Sequence, residues 1–85
     1  MSSLTAYVDR KNAFAKLFGS KQLSLQDAAD RQSIAYCIES ELSPENLTCD
    51  GELSRAEVDA RYNELKKVVK ELQKLDPAVK FYEYN

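Results

Sequence analysis

Between Asn46 and Glu57 the chain sets oxygen-bearing side chains at short intervals: Asn46, Thr48, Asp50, Glu52, Ser54 and Glu57, with Gly51 among them. Amide, hydroxyl and carboxylate oxygens grouped this way are the donors a hard cation such as calcium takes, about six to eight at a time. Other chemistry is poorly supplied. The chain has no histidine, so the usual general base, the Ser-His-Asp and Cys-His arrangements and most zinc sites are missing. Cys37 and Cys49 are its only two cysteines, too few for a zinc cluster or for the disulfide framework of a small secreted domain. No catalytic residue, metal ligand set or cofactor is therefore assigned, and a non-enzymatic protein is expected.

The oxygen-rich segment resembles the twelve-residue loop of the EF-hand family. Asn46 falls at the first loop position, Thr48 at the third, Asp50 at the fifth, Gly51 at the turn, Glu52 just after it, Leu53 at the hydrophobic position, Ser54 at the ninth and Glu57 at the last. The resemblance implies a calcium-binding module using residues 46–57, with Asn46, Thr48, Asp50, Glu52 and Glu57 as ligands. It covers only the loop and its exiting helix. Thr48 stands where a carboxylate belongs, Pro44 disrupts the entering helix, and no second hand is present. The same residues also have a plain structural use, since Asp50-Gly51 is a turn pair and Ser54-x-x-Glu57 a capping box.

Charge supplies the next feature. The overall balance of −2 conceals an uneven distribution: residues 32–54 carry five acidic and no basic side chains, between flanks that are weakly basic. Glu39, Glu41, Glu45, Asp50 and Glu52 make this block a solvated helix end and loop, or a steering patch for a basic partner. Lys66, Lys70 and Lys74 recur at four-residue spacing and form one helical ridge, which gives a nucleic-acid-binding accessory protein as a further alternative. An acidic chain without a recognition motif speaks against a nucleic-acid partner.

The elements that must position these residues follow from periodicity. Leu4, Tyr7, Val8, Phe14, Leu17 and Phe18 form one stripe of a helix over 3–18, and Gly19 follows as its C-cap. Ser24 is the expected N-cap of a second helix over 24–42, with Leu25, Ala28, Ala35, Ile38 and Leu42 inward, ended by Ser43-Pro44. The capping box at Ser54 opens a third helix over 54–75, in which Val58, Tyr62, Leu65, Val69 and Leu72 make a heptad-like seam. Short links between three helices predict an all-α, antiparallel up-down-up bundle in a single domain, followed by an extended tail over 78–85. Phe14, Phe18, Tyr36 and Tyr62 are read as core or core-edge residues. Apolar runs are short and no basic-then-apolar leader opens the sequence, so neither a membrane span nor a signal peptide is expected, and a cytoplasmic location is.

Phe81, Tyr82 and Tyr84 crowd three aromatic rings into four positions of the tail. Such rings either fold back on the bundle or anchor another chain. The leading expectation is a small regulatory protein that binds a protein partner through Glu39, Glu41, Glu45, Asp50, Glu52, Phe81, Tyr82 and Tyr84. The seam also allows a homodimer. Small acidic helical chains of this kind are common among bacterial and bacteriophage accessory proteins, including inhibitors of host machinery.

Overall fold

A computed structural model describes residues 2–82, and among them the fold is all-helical: α1 (Ser3–Leu17), α2 (Ala28–Leu42), α3 (Pro44–Leu47) and α4 (Arg55–Leu75). Ser2 caps α1 by accepting the Thr5 N–H at 3.1 Å. At the other end Gly19 adopts φ 65°, its N–H donates to the Lys16 carbonyl, and the Ser20 N–H reaches back to Ala15. This is the double-bonded, left-handed helix end that glycine accommodates without strain.

The second helix begins later than its sequence suggests. Ser24 does not cap it; its hydroxyl accepts the Gln26 N–H, and its own N–H donates to Asp30. Asp27 is the cap instead, accepting the Ala29 N–H at 3.1 Å. Two residues with equal capping chemistry compete here, and the buried Asp30 carboxylate holds Ser24 in a turn. Pro44 ends α2 as anticipated and then opens the short α3, which reads as loop in the sequence. Proline suits a first helical position because the N–H it lacks has no intrahelical partner there. The capping box of α4 forms in full, with Glu57 N–H to Ser54 Oγ at 3.2 Å and Ser54 N–H to Glu57 Oε1 at 2.9 Å.

The core is built on α4. Leu65, Val68, Val69 and Leu72 are buried against Leu4, Tyr7 and Val8 of α1 and Ile34, Ala35 and Ile38 of α2, with Val79 closing one end. The seam expected to pair two chains is thus largely consumed within one: Leu65, Val69 and Leu72 lie in the core, leaving Val58 half-buried and Tyr62 more exposed.

The helix directions differ from a strict up-down-up order. Leu4 N–H donates to Glu71 at 3.4 Å, Arg31 meets Asp76 at 2.7 Å, and Arg61 meets Glu41 at 3.5 Å. Both α1 and α2 therefore run opposite to α4 and alongside each other in the same sense. The segment after α1 makes this possible by travelling back along that helix. Asn12 grips Leu23 twice, donating to its carbonyl at 2.8 Å and accepting its N–H at 2.7 Å. At ~3.3 Å per extended residue, the stretch between Gly19 and Asp27 is long enough for that return.

Through Tyr82 the tail folds back on α2. Gln32 and the Lys80 backbone exchange two hydrogen bonds, at 2.8 and 3.0 Å, and the Tyr82 N–H donates to Glu39 at 2.6 Å. Phe81 packs half-buried against the core, and the Tyr82 ring stacks on Tyr36 with centroids 6.0 Å apart. Tyr84 lies outside the described residues. Among those described, no helix is long and apolar enough to cross a membrane.

Candidate interaction surface

The inner stripe of α1 continues past the point where it has something to cover. Leu4, Tyr7 and Val8 are buried, but Phe14, Leu17 and Phe18, which extend the same helix, are 64%, 80% and 70% exposed. Their expected place in the core is not where the structure puts them. Past the contact of Lys11 with Glu41 in the last turn of α2, the final turn and a half of α1 turns these side chains outward. Phe14 and Phe18 lie against one another there, ring centroids 5.1 Å apart. Large apolar side chains at positions i, i+3 and i+4 of a free helix end are the anchors by which helices seat in partner surfaces.

Beneath the exposed turn is a cleft of about 410 Å³ between α1 and α4, with Tyr7 and Leu65 on its floor and Arg10, Phe14, Arg61 and Glu64 around it. Its organising group is Glu41. The carboxylate accepts the Tyr7 hydroxyl and pairs with Lys11 at 2.8 Å and Arg61 at 3.5 Å. Burial, reinforced by the hydrogen bond to Glu41 and its negative charge, pushes the Tyr7 phenol far above its ordinary range, so it keeps its proton and donates that hydrogen bond to Glu41. The Lys11 ammonium also stands 5.5 Å over the Tyr7 ring, a cation–π arrangement that fixes both side chains. The Arg61 Nε is buried with no hydrogen-bond partner.

The remaining acidic residues separate into two groups. Glu39, like Glu41, works within the molecule, holding the tail through the Tyr82 N–H. Glu45, Asp50 and Glu52 are exposed, and none forms an ion pair among the described residues. They sit on α3 and the following loop, where Cys49 and Asp50 adopt φ 50° and 56° ahead of Gly51 at 85°. Of the aromatic residues, Phe81 supports the core and Tyr82 covers Tyr36, while the exposed α1 aromatics carry the free apolar surface.

The loop does not assemble a cation cage. Asn46 lies within α3 and donates to the Ser40 carbonyl at 2.7 Å, Thr48 donates its hydroxyl to the Pro44 carbonyl at 2.7 Å, and Glu57 is held in the capping box. Two bonds to backbone N–H and hydroxyl of Ser54 lower the Glu57 carboxyl from its usual value. Among the described residues no group of three or more His, Cys, Asp or Glu side chains comes together. The EF-hand spacing is thus taken over by local hydrogen bonding: Asn46 and Thr48 are engaged by the Ser40 and Pro44 carbonyls, and Glu57 by the capping box with Ser54.

Lys70 and Lys74 lie on the exposed face of α4, and Lys66 stands 5.7 Å over the Tyr62 ring. Cys37 is half-buried on the core and Cys49 exposed, both as free thiols. Comparison with protein-family models, with curated proteins and with solved structures found no match, so the geometry of the chain itself carries the functional reading.

Proposed function

We propose that this is a small non-enzymatic protein of regulatory or accessory kind, which acts by binding a protein partner through the exposed end of α1. The observation that carries the reading is the joint exposure of Phe14, Leu17 and Phe18. Three large apolar side chains on one turn and a half of helix, rimmed by Arg10 and Lys16, are costly to leave in water and have the composition of an interface core. The Glu41 network supports the reading by holding the base of the exposed turn rigidly, which lowers the entropy lost on docking.

The test compares capture of partner proteins by the intact chain and by a Phe14→Asp/Phe18→Asp variant, each checked for an unchanged helical signal. Partners retained by the first and lost by the second support the reading. Equal recovery, combined with loss in a Tyr36→Ser/Tyr82→Ser variant, would move the interface to the tail face and contradict it.

A further inference from the structure

We infer that the end of the bundle bearing the α1 tip is where a second copy of this chain docks, around a two-fold axis. The inference rests on the reading of that tip as an interface and names its occupant. Residues 10–21 contain Arg10, Lys11, Lys16 and Lys21 and no acidic residue. Lys11 and Lys21 are neutralised within the chain by Glu41 and Asp30, at 2.8 and 3.0 Å. Arg10 and Lys16 have no ion-pair partner among the described residues, and neither do Glu45, Asp50 and Glu52. The Lys11–Glu41 and Arg61–Glu41 pairs show that the α1 tip, the end of α2 and the start of α4 emerge at one end of the molecule. That end therefore carries both an unmatched basic, apolar tip and, on the segment joining α2 to α4, an unmatched acidic loop.

A two-fold axis through the end sets each tip against the other copy's loop, matching both charges twice and closing the assembly. Area points the same way. With ~150–250 Å² per large side chain, the three exposed residues offer roughly 400 Å² per chain, about half the ~800 Å² per partner of a stable interface. The tip alone is too small, so the interface must extend beyond it, and the exposed side chains of Glu45, Asp50 and Glu52 are available for that extension. A polyanionic surface, whether bilayer or nucleic acid, fits less well, because Glu45, Asp50 and Glu52 would face it too.

Sedimentation equilibrium of the full chain tests this. The wild type is expected to form a dimer whose dissociation constant rises with salt, and Phe14→Asp/Phe18→Asp to weaken it by at least ~10-fold. Two charge-reversed variants, Arg10→Glu/Lys16→Glu and Glu45→Lys/Glu52→Lys, should each be monomeric alone and form a dimer when mixed. A wild type that stays monomeric at millimolar concentration, or a mixture that stays monomeric, would overturn the inference. So would a monomer that is retained on phosphatidylcholine vesicles containing phosphatidylglycerol. A monomeric chain that still captures another protein through Phe14 and Phe18 removes self-association but leaves the tip reading standing. Loss of both removes both.

Discussion

Lys11 of α1 and Glu41 of α2 meet at 2.8 Å, and this pair marks the boundary between the part of α1 that builds the core and the part that leaves it. On the N-terminal side lie the buried Leu4, Tyr7 and Val8; on the C-terminal side lie the exposed Phe14, Leu17 and Phe18. One helix thus does two jobs, and the ion pair separates them.

The tip residues should be nearly irrelevant to folding. Phe14→Asp and Phe18→Asp remove little buried area, so each is expected to change stability by no more than about 0.5 kcal/mol in denaturant unfolding. A loss of several times that would show that the rings are covered in the monomer.

Glu41 is expected to behave in the opposite way. Glu41→Ala strands the buried Tyr7 hydroxyl and releases Lys11 and Arg61, with a cost of about 1–3 kcal/mol. Glu41→Gln keeps an acceptor for Tyr7 and should lose less, while Lys11→Met, at a partly exposed pair, should cost under about 1 kcal/mol. Equal effects of all three would mean that the network is only a surface feature.

Two pH limits follow from the sign of the shifts. Hydrogen bonding from the Ser24 N–H and from Lys21 lowers the Asp30 carboxyl, and Arg31 with the Ala78 N–H lowers Asp76. These depressed groups contribute stability above the unfolded carboxylate range, near pH ~4, that is lost as pH falls through their folded values. Asp30→Asn should flatten the acid limb of the stability profile. Tyr7 is raised, so its contribution is present below pH ~10 and is lost as the solution becomes more alkaline. Phenolate absorbance should show one of the five tyrosines ionising only as the chain unfolds, and Tyr7→Phe should abolish that component.

Helix capping gives a further check at the segment that resembles a calcium loop. Ser54→Ala is expected to cost ~1 kcal/mol and Ser54→Gly a few tenths. Millimolar calcium should leave the amide resonances of Asp50, Gly51 and Glu57 unmoved. Shifts confined to those residues would show that the loop rearranges into a cation site.

The legible and illegible parts of this chain divide along physical lines. Ser54 and Glu57 are local signals, satisfied within one turn, and the capping box forms as written. Pro44 likewise ends α2, although its fitness to begin another helix is equally local and goes unread beside the stronger stop signal. Ser24 and Asp27 cannot be ranked as caps without the tertiary contact from Asp30. The fate of Phe14 and Phe18 was beyond periodicity altogether. They share a stripe with Tyr7, and only the tertiary packing around α1 decides that they are surface. A signal was present in the run Arg10-Lys11-Asn12 interrupting that stripe, together with four basic residues and no acid over 10–21. The acidic block split for the same reason: Glu41 turns inward toward Tyr7 because a parallel α1 lies beside it, an arrangement set by the returning segment that Asn12 holds.

A dilution series followed by amide chemical shifts tests the central claim most directly. From micromolar to millimolar chain, the account predicts concentration-dependent shifts at Phe14, Lys16, Leu17 and Phe18 and, in step with them, at Glu45, Asp50 and Glu52. Shifts confined to Val58 and Tyr62 or to Tyr36 and Tyr82, or no shifts at all, would contradict it.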